Sequence, residues 1–94
     1  MNKKIQINGR NIGTDFPPYI IAELSANHNG RLETALKIIE QAKVCGADAV
    51  KLQTYKADTI TLKSKNEEFM IRGGLWDGQS LYELYEKAHM PWEW

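Results

Sequence analysis

The chain lacks several things that would have decided its class at once. It has a single cysteine, Cys45, in 94 residues, so it has no internal disulfide framework and belongs in a reducing compartment, the cytoplasm. It has no excess of either charge, with 12 Lys+Arg against 12 Asp+Glu, which excludes the electrostatic footprint of a nucleic-acid or acidic-membrane binder. The two halves differ only mildly, with 6 basic and 4 acidic groups in residues 1–47 and 6 and 8 in residues 48–94. Long apolar runs are missing as well. The richest stretch, Tyr19-Ile20-Ile21-Ala22, is far too short to span a bilayer. The basic opening Met1-Asn2-Lys3-Lys4 is not followed by the ~7–15 apolar residues of a signal peptide. No GxGxxG or Walker A pattern occurs, and His28, Cys45 and His89 have no metal-ligand spacing; Cys45 is expected to pack at a helix end. What is present is ordinary globular material, 43% hydrophobic and 26% charged.

The element pattern is αβ. Ile5-Gln6-Ile7 and Arg10-Asn11-Ile12 alternate on either side of Asn8-Gly9, whose tolerance of positive φ makes it a strong hairpin signal, over 4–12. Pro17-Pro18 enforces an extended path into a strand at Tyr19–Leu24. After the turn Asn27-His28-Asn29-Gly30, the apolar residues Leu32, Ala35, Leu36, Ile39 and Ala42 predict a helix from Arg31 to Cys45, stopped at Gly46. A second strand is expected at Ala49–Thr54. Strand, helix and strand within 19–54 make a βαβ unit, so the strands should be parallel with a right-handed crossover. Residues 55–80 show no sustained periodicity and are expected to be a long loop, and such loops often serve as lids. Ser80 and Glu83 then form a capping box for a helix over 81–89, ended by Pro91, and Trp92-Glu93-Trp94 reads as the first turn of another.

Alternation within the two strands points to chemistry. Ile20, Ala22 and Leu24 share a face, as do Val50, Leu52 and Thr54, and these apolar sets are expected to pack on the helix. That leaves Glu23, Lys51 and Gln53 together on the other face near the carboxyl ends, where ligands bind in open α/β sheets and in barrels alike. Burying a Lys or Glu is costly unless it is paired, so the group suggests an anionic ligand held by Lys51 with Glu23 close to the reacting atoms. A purely structural Glu23–Lys51 pair, or a half-wet antiparallel sheet with these groups in water, is the plainer alternative. Asn27 and His28, in the turn at the same end, are candidates for the pocket rim, although Asn and Gly also do ordinary turn work.

Ile21-Ala22-Glu23-Leu24-Ser25-Ala26-Asn27-His28-Asn29-Gly30 and Ala47-Asp48-Ala49-Val50-Lys51-Leu52-Gln53-Thr54 resemble the first two strands and the intervening turn of the sialic acid synthase family. Within it, Leu24-Ser25-Ala26, the Tyr55–Leu62 segment and Gly73-Gly74-Leu75-Trp76 through Pro91-Trp92-Glu93-Trp94 resemble the pseudaminic acid synthases; N-acetylneuraminate and legionaminate synthases share the strand motifs. The resemblance implies the amino-terminal portion of a (β/α)8 TIM barrel preceded by a β-hairpin, in a cytoplasmic transferase. That enzyme would condense phosphoenolpyruvate with an acetamido-sugar, form a C–C bond and release phosphate. Lys51 then matches the lysine that binds phosphoenolpyruvate, Gln53 a polar neighbour, and Glu23 the catalytic acidic residue near the reacting carbons; Asn27 and His28 match the rim. The resemblance also implies a divalent metal, Mn or Mg, whose ligands are not among these residues, and a homodimeric whole enzyme. A barrel typically needs ~250 residues. The expectation for these 94 residues is therefore an inactive, association-prone fragment; a non-catalytic self-associating fragment is the alternative from another class.

Overall fold

A computed structural model describes residues 3–94; Met1 and Asn2, the start of the basic opening, lie outside the described residues. The order is β1 (Lys4–Ile7), β2 (Arg10–Gly13), β3 (Ile21–Glu23), α1 (Leu32–Val44), β4 (Ala49–Lys51), α2 (Ala57–Ile60) and α3 (Leu81–Ala88). The fold is mixed α/β, as expected.

The hairpin forms where Asn8-Gly9 places it. Both residues take positive φ, 50° and 79°, and the strands pair antiparallel with Ile5 opposite Ile12 and Gln6 opposite Asn11. The Gln6 Nε2 amide donates to Asn11 Oδ1 at 2.8 Å across the pair. The pairing reaches Gly13, one residue past the expected end.

Strands β3 and β4 are parallel, with Ile21 opposite Ala49, Ala22 opposite Val50 and Glu23 opposite Lys51. They are shorter than the alternation suggests, because each gives way to turn or irregular backbone once it passes Glu23 or Lys51. Between them α1 runs one residue short of the expected helix at each end and stops by a Schellman closure. The Gly46 amide donates to the Lys43 carbonyl at 3.0 Å and the Ala47 amide to the Ala42 carbonyl at 2.9 Å, with Gly46 at φ 93°. Cys45, expected to pack at this helix end, is exposed instead.

The core is small. Leu24, Ala35 and Met90 are buried together, with Ile38 and Val50 packed against them, so the Leu24/Val50 face of the strand pair does lie on the helix. The same face is incompletely covered: Ile20 and Leu52 stay about half exposed, at 51% and 46%. The radius of gyration, 17.3 Å, exceeds the ~12 Å of a compact domain of this length. Among the described residues, β3 and β4 pair only with each other and β1 only with β2.

Residues 55–80 are not the featureless loop that the lack of periodicity suggests. They contain α2, a 3-10 turn at Glu67–Phe69 and a Met70–Ser80 bridge that closes the last stretch on itself. These elements are too short for any period to show in sequence. The bridge delivers Ser80 to α3, where the capping box is complete: the Glu83 amide donates to Ser80 Oγ at 3.1 Å and the Ser80 amide to Glu83 Oε2 at 3.0 Å. The Ser80 amide also holds the Glu83 carboxyl below the usual carboxylate range, helped by Lys65 and Lys87. The α3 helix ends at Ala88. The Met90 amide then donates to the Gln53 carbonyl at 2.8 Å, and Pro91–Trp94 makes a single turn. No helix of the described residues is long and apolar enough to cross a membrane.

Candidate functional site

The parallel register builds the site. Glu23 and Lys51 are direct partners at the last paired position of their strands, and the Leu24 amide carries the ladder one step further to the Lys51 carbonyl at 3.1 Å. Directly paired residues lie on the same face, and the Lys51 ammonium forms an ion pair with Glu23 Oε1. A carboxylate and an ammonium thus stand side by side at the carboxyl end of a parallel pair.

The expectation that this pair is buried is corrected. The side chains are 56% exposed for Lys51 and 60% for Glu23, because no described element covers that face of the sheet. An ion pair so open to water contributes at most about 1 kcal/mol, so its interest is its placement. Gln53 is half-buried two residues beyond the end of β4 and anchors Met90 through its backbone carbonyl; no bond joins its side chain to Glu23 or Lys51 among the described residues.

The turn after β3 is wound tightly. Ser25 and Asn29 hold left-handed backbone, φ 55° and 52°, and the Asn27 amide donates to the Leu24 carbonyl at 3.2 Å. No side chain caps α1, whose N-cap residue Arg31 is extended. Asn27 lines a cleft of about 860 Å³ between this turn and Leu75, Trp76 and Lys87. Glu23, Lys51 and Gln53 are not among the residues that line this cleft.

His28 is not a rim residue. It is 1% exposed, and both ring nitrogens are used. The Gly30 amide donates to Nδ1 at 2.9 Å, which makes Nδ1 the acceptor and leaves Nε2 to donate to the Ala88 carbonyl at 3.3 Å. Its ring packs at nearly a right angle to that of Trp94, with centroids 5.3 Å apart. His28 is thus a buried tie between the first turn and the end of α3. Two of its partners, Ala88 and Trp94, lie sixty or more residues away, beyond the reach of local spacing.

Two features escaped the pattern reading. Trp76, carried by the closed 70–80 stretch, and Lys87, on α3, form the far wall of the cleft. Arg10, in the hairpin, ion-pairs with Asp48, just before β4. The Asp48 carboxyl lies below its ordinary range, first because it accepts the Ile20 amide and then because of the Arg10 guanidinium. The only available sequence signal was an acidic residue wedged between a helix stop and a strand.

The divalent metal implied by the resemblance finds no fit here. Among the described residues no three His, Cys, Asp or Glu side chains come together to hold an ion, and the Glu23 carboxylate already faces an ammonium.

Comparison with known proteins places this geometry in context. The NeuB family matches residues 38–94, which include Lys51 and Gln53. A pseudaminic acid synthase of Campylobacter jejuni is 61% identical over 84 residues, covering 89% of this chain and 24% of the relative. One from Helicobacter pylori is 55% identical over 78 residues, covering 83% and 23%. An N,N'-diacetyllegionaminic acid synthase of Legionella pneumophila is 35% identical over 94 residues, covering 99% and 26%. The chain thus spans about a quarter of the length of these curated relatives. An 84-residue match cannot miss the middle of the chain, so Glu23, Asn27, His28, Lys51 and Gln53 all fall inside the Campylobacter alignment.

Proposed function

The chain belongs to the NeuB family, and from that premise we propose that it supplies the first two strands of a (β/α)8 barrel in a pseudaminic acid synthase-type enzyme. The observation that carries the reading is the direct pairing of Glu23 with Lys51 at the carboxyl ends of two parallel strands, where barrel enzymes keep their chemistry. The higher identity to two pseudaminic acid synthases than to the legionaminic acid synthase, 61% and 55% against 35%, supports that sugar class.

The proposed reaction joins C3 of phosphoenolpyruvate to the aldehyde carbon of an acetamido-sugar. Water adds at C2, the bond between C2 and the phosphate ester oxygen breaks, and inorganic phosphate departs with that oxygen; the two protons of water end on the former aldehyde oxygen and on phosphate, and a 2-keto acid remains. Lys51 is the cation for the anionic donor, and Gln53 is a polar neighbour at the same end. Positive charge developing at C2 is met by the fixed carboxylate of Glu23, which also serves to orient the incoming water. Asn27 borders the approach. When bound, a divalent metal would polarise the aldehyde. Cytoplasmic location and a homodimeric whole enzyme belong to the same reading.

The 94 residues alone are proposed to be inactive. Glu23 and Lys51 are more than half exposed, and water screens charges that catalysis needs in a dry site. Condensation of phosphoenolpyruvate with the sugar by the isolated chain would overturn that part. The main test uses a synthase of family length carrying this segment. Lys51→Ala is expected to raise KM for phosphoenolpyruvate and lower kcat/KM by about 100-fold or more, and Glu23→Gln to lower kcat with KM kept. Steady-state phosphate release decides it, and wild-type kinetics in both variants would refute the assignment.

A further inference from the structure

The Glu23–Lys51 pairing depends on the register of two three-residue strands, which share too few backbone bonds to fix it by themselves. A slip of one residue would turn Glu23 to the opposite face from Lys51, and a slip of two would carry it about 7 Å along the strand. Something at the other end of the pair must set the position.

That end is unusually well tied. Asp48 Oδ2 accepts the Ile20 amide at 2.7 Å, while the Asp48 and Ala49 amides both donate to the Ile20 carbonyl, at 2.8 Å and 3.2 Å. Ile20 is therefore gripped from both sides of its backbone by the residue that precedes β4. The other carboxylate oxygen of Asp48 is taken by Arg10 of the hairpin. Arg10 in turn donates to the Pro18 carbonyl at 3.3 Å and lies over the Tyr19 ring, 5.3 Å from its centroid. The Tyr19 hydroxyl reaches the Asp48 carbonyl at 3.4 Å. Residues 18, 19 and 20, which lead into β3, are thus all held by Arg10 or Asp48. A doubly engaged carboxylate is the strong form of such a contact, and it acts at one register only.

We propose that Asp48 and Arg10 are positioning residues that clamp β3 against β4, so that the hairpin sets where Glu23 meets Lys51. The proposal deepens the functional reading above and rests on it for its catalytic consequence, but the clamp itself can be tested without turnover. The register marker is the Leu24 amide, whose bond to the Lys51 carbonyl exists only in this alignment.

In the 94-residue chain, amide hydrogen exchange at Leu24 is expected to speed up about tenfold or more in Asp48→Ala, and by less in Asp48→Asn and Arg10→Gln. Asp48→Asn keeps an acceptor for Ile20, and Arg10→Gln leaves the Asp48–Ile20 bonds in place, so both should hold register better. Exchange within α1 should stay unchanged. Unaltered exchange at Leu24 in Asp48→Ala overturns the clamp. So does loss of protection through α1 in step with Leu24, because the contact would then hold the whole unit and not the register. In a synthase carrying the segment, Asp48→Ala should lower kcat about 10–100-fold, with partial rescue in Asp48→Asn. If Leu24 exchange rises while kcat is unchanged, the clamp stands and the Glu23–Lys51 assignment falls.

Discussion

The described residues form two two-stranded sheets, and they are specified in opposite ways. In β1–β2 the information is local: Asn8-Gly9 turns the chain, and the Gln6–Asn11 bond fastens the pair across the strands. In β3–β4 almost nothing is local. The partners are separated by α1, each strand is three residues long, and alignment comes from Asp48, Ile20 and an arginine from the other sheet. A hairpin pairs because its turn leaves no other choice, whereas a parallel pair needs its register supplied from outside. The proposed active pair sits on the second kind.

The largest blow to this contrast should come from Leu24→Ala. Leu24 is fully buried against Ala35 and Met90, and its truncation is expected to cost about 2–5 kcal/mol. Denaturation followed by residue-resolved NMR should show β3–β4 and α1 lost while the β1–β2 cross-strand contacts remain; joint loss of both sheets would show that the hairpin is not independent. A smaller loss, in the other sheet, is expected from Gly9→Ala. The added methyl meets nothing within 4 Å, so the cost is that of left-handed backbone alone, about 1–2 kcal/mol, confined to the hairpin. An equal effect at Ala22 and Val50 amides would deny the local character of the turn.

The smallest effect is one of pH. The Asp48 carboxyl is held below its ordinary range by the Ile20 amide and by Arg10, so the stability it adds is present in full above the usual carboxylate pKa, about 4. It is lost as pH falls through the lower folded-state value. The hairpin strands contain no acidic residue, so acid titration should loosen Leu24 exchange before the β1–β2 amides respond. Asp48→Asn should flatten the Leu24 response; a wild-type profile in that variant would assign the acid sensitivity to other carboxyls such as Glu83.

The same contrast explains what could be read in advance. The Asn8-Gly9 hairpin, the Gly46 stop and the Ser80–Glu83 box are signals whose parts lie within a few residues, and each appears in the structure. The shared face of Glu23 and Lys51 was legible because strand alternation has a fixed period of two. Burial was not, since it depends on which elements cover the sheet. Local pattern puts His28 at the rim, whereas Ala88 and Trp94, from the far end of the chain, meet it in a buried position. Residues 55–80 looked featureless because a four-residue helix and a single bridge are shorter than any period. The Arg10–Asp48 contact joins positions with no pattern in common.

Closing a two-residue turn and closing a chain around a thirteen-residue helix also differ in time. Hairpins form in about 1–10 μs, while contacts between distant segments first meet the entropy of a longer loop. On these timescales the Arg10 guanidinium is expected to be mounted on the hairpin before the segment bearing Asp48 arrives, so that the β3–β4 pairing would meet a template made before it.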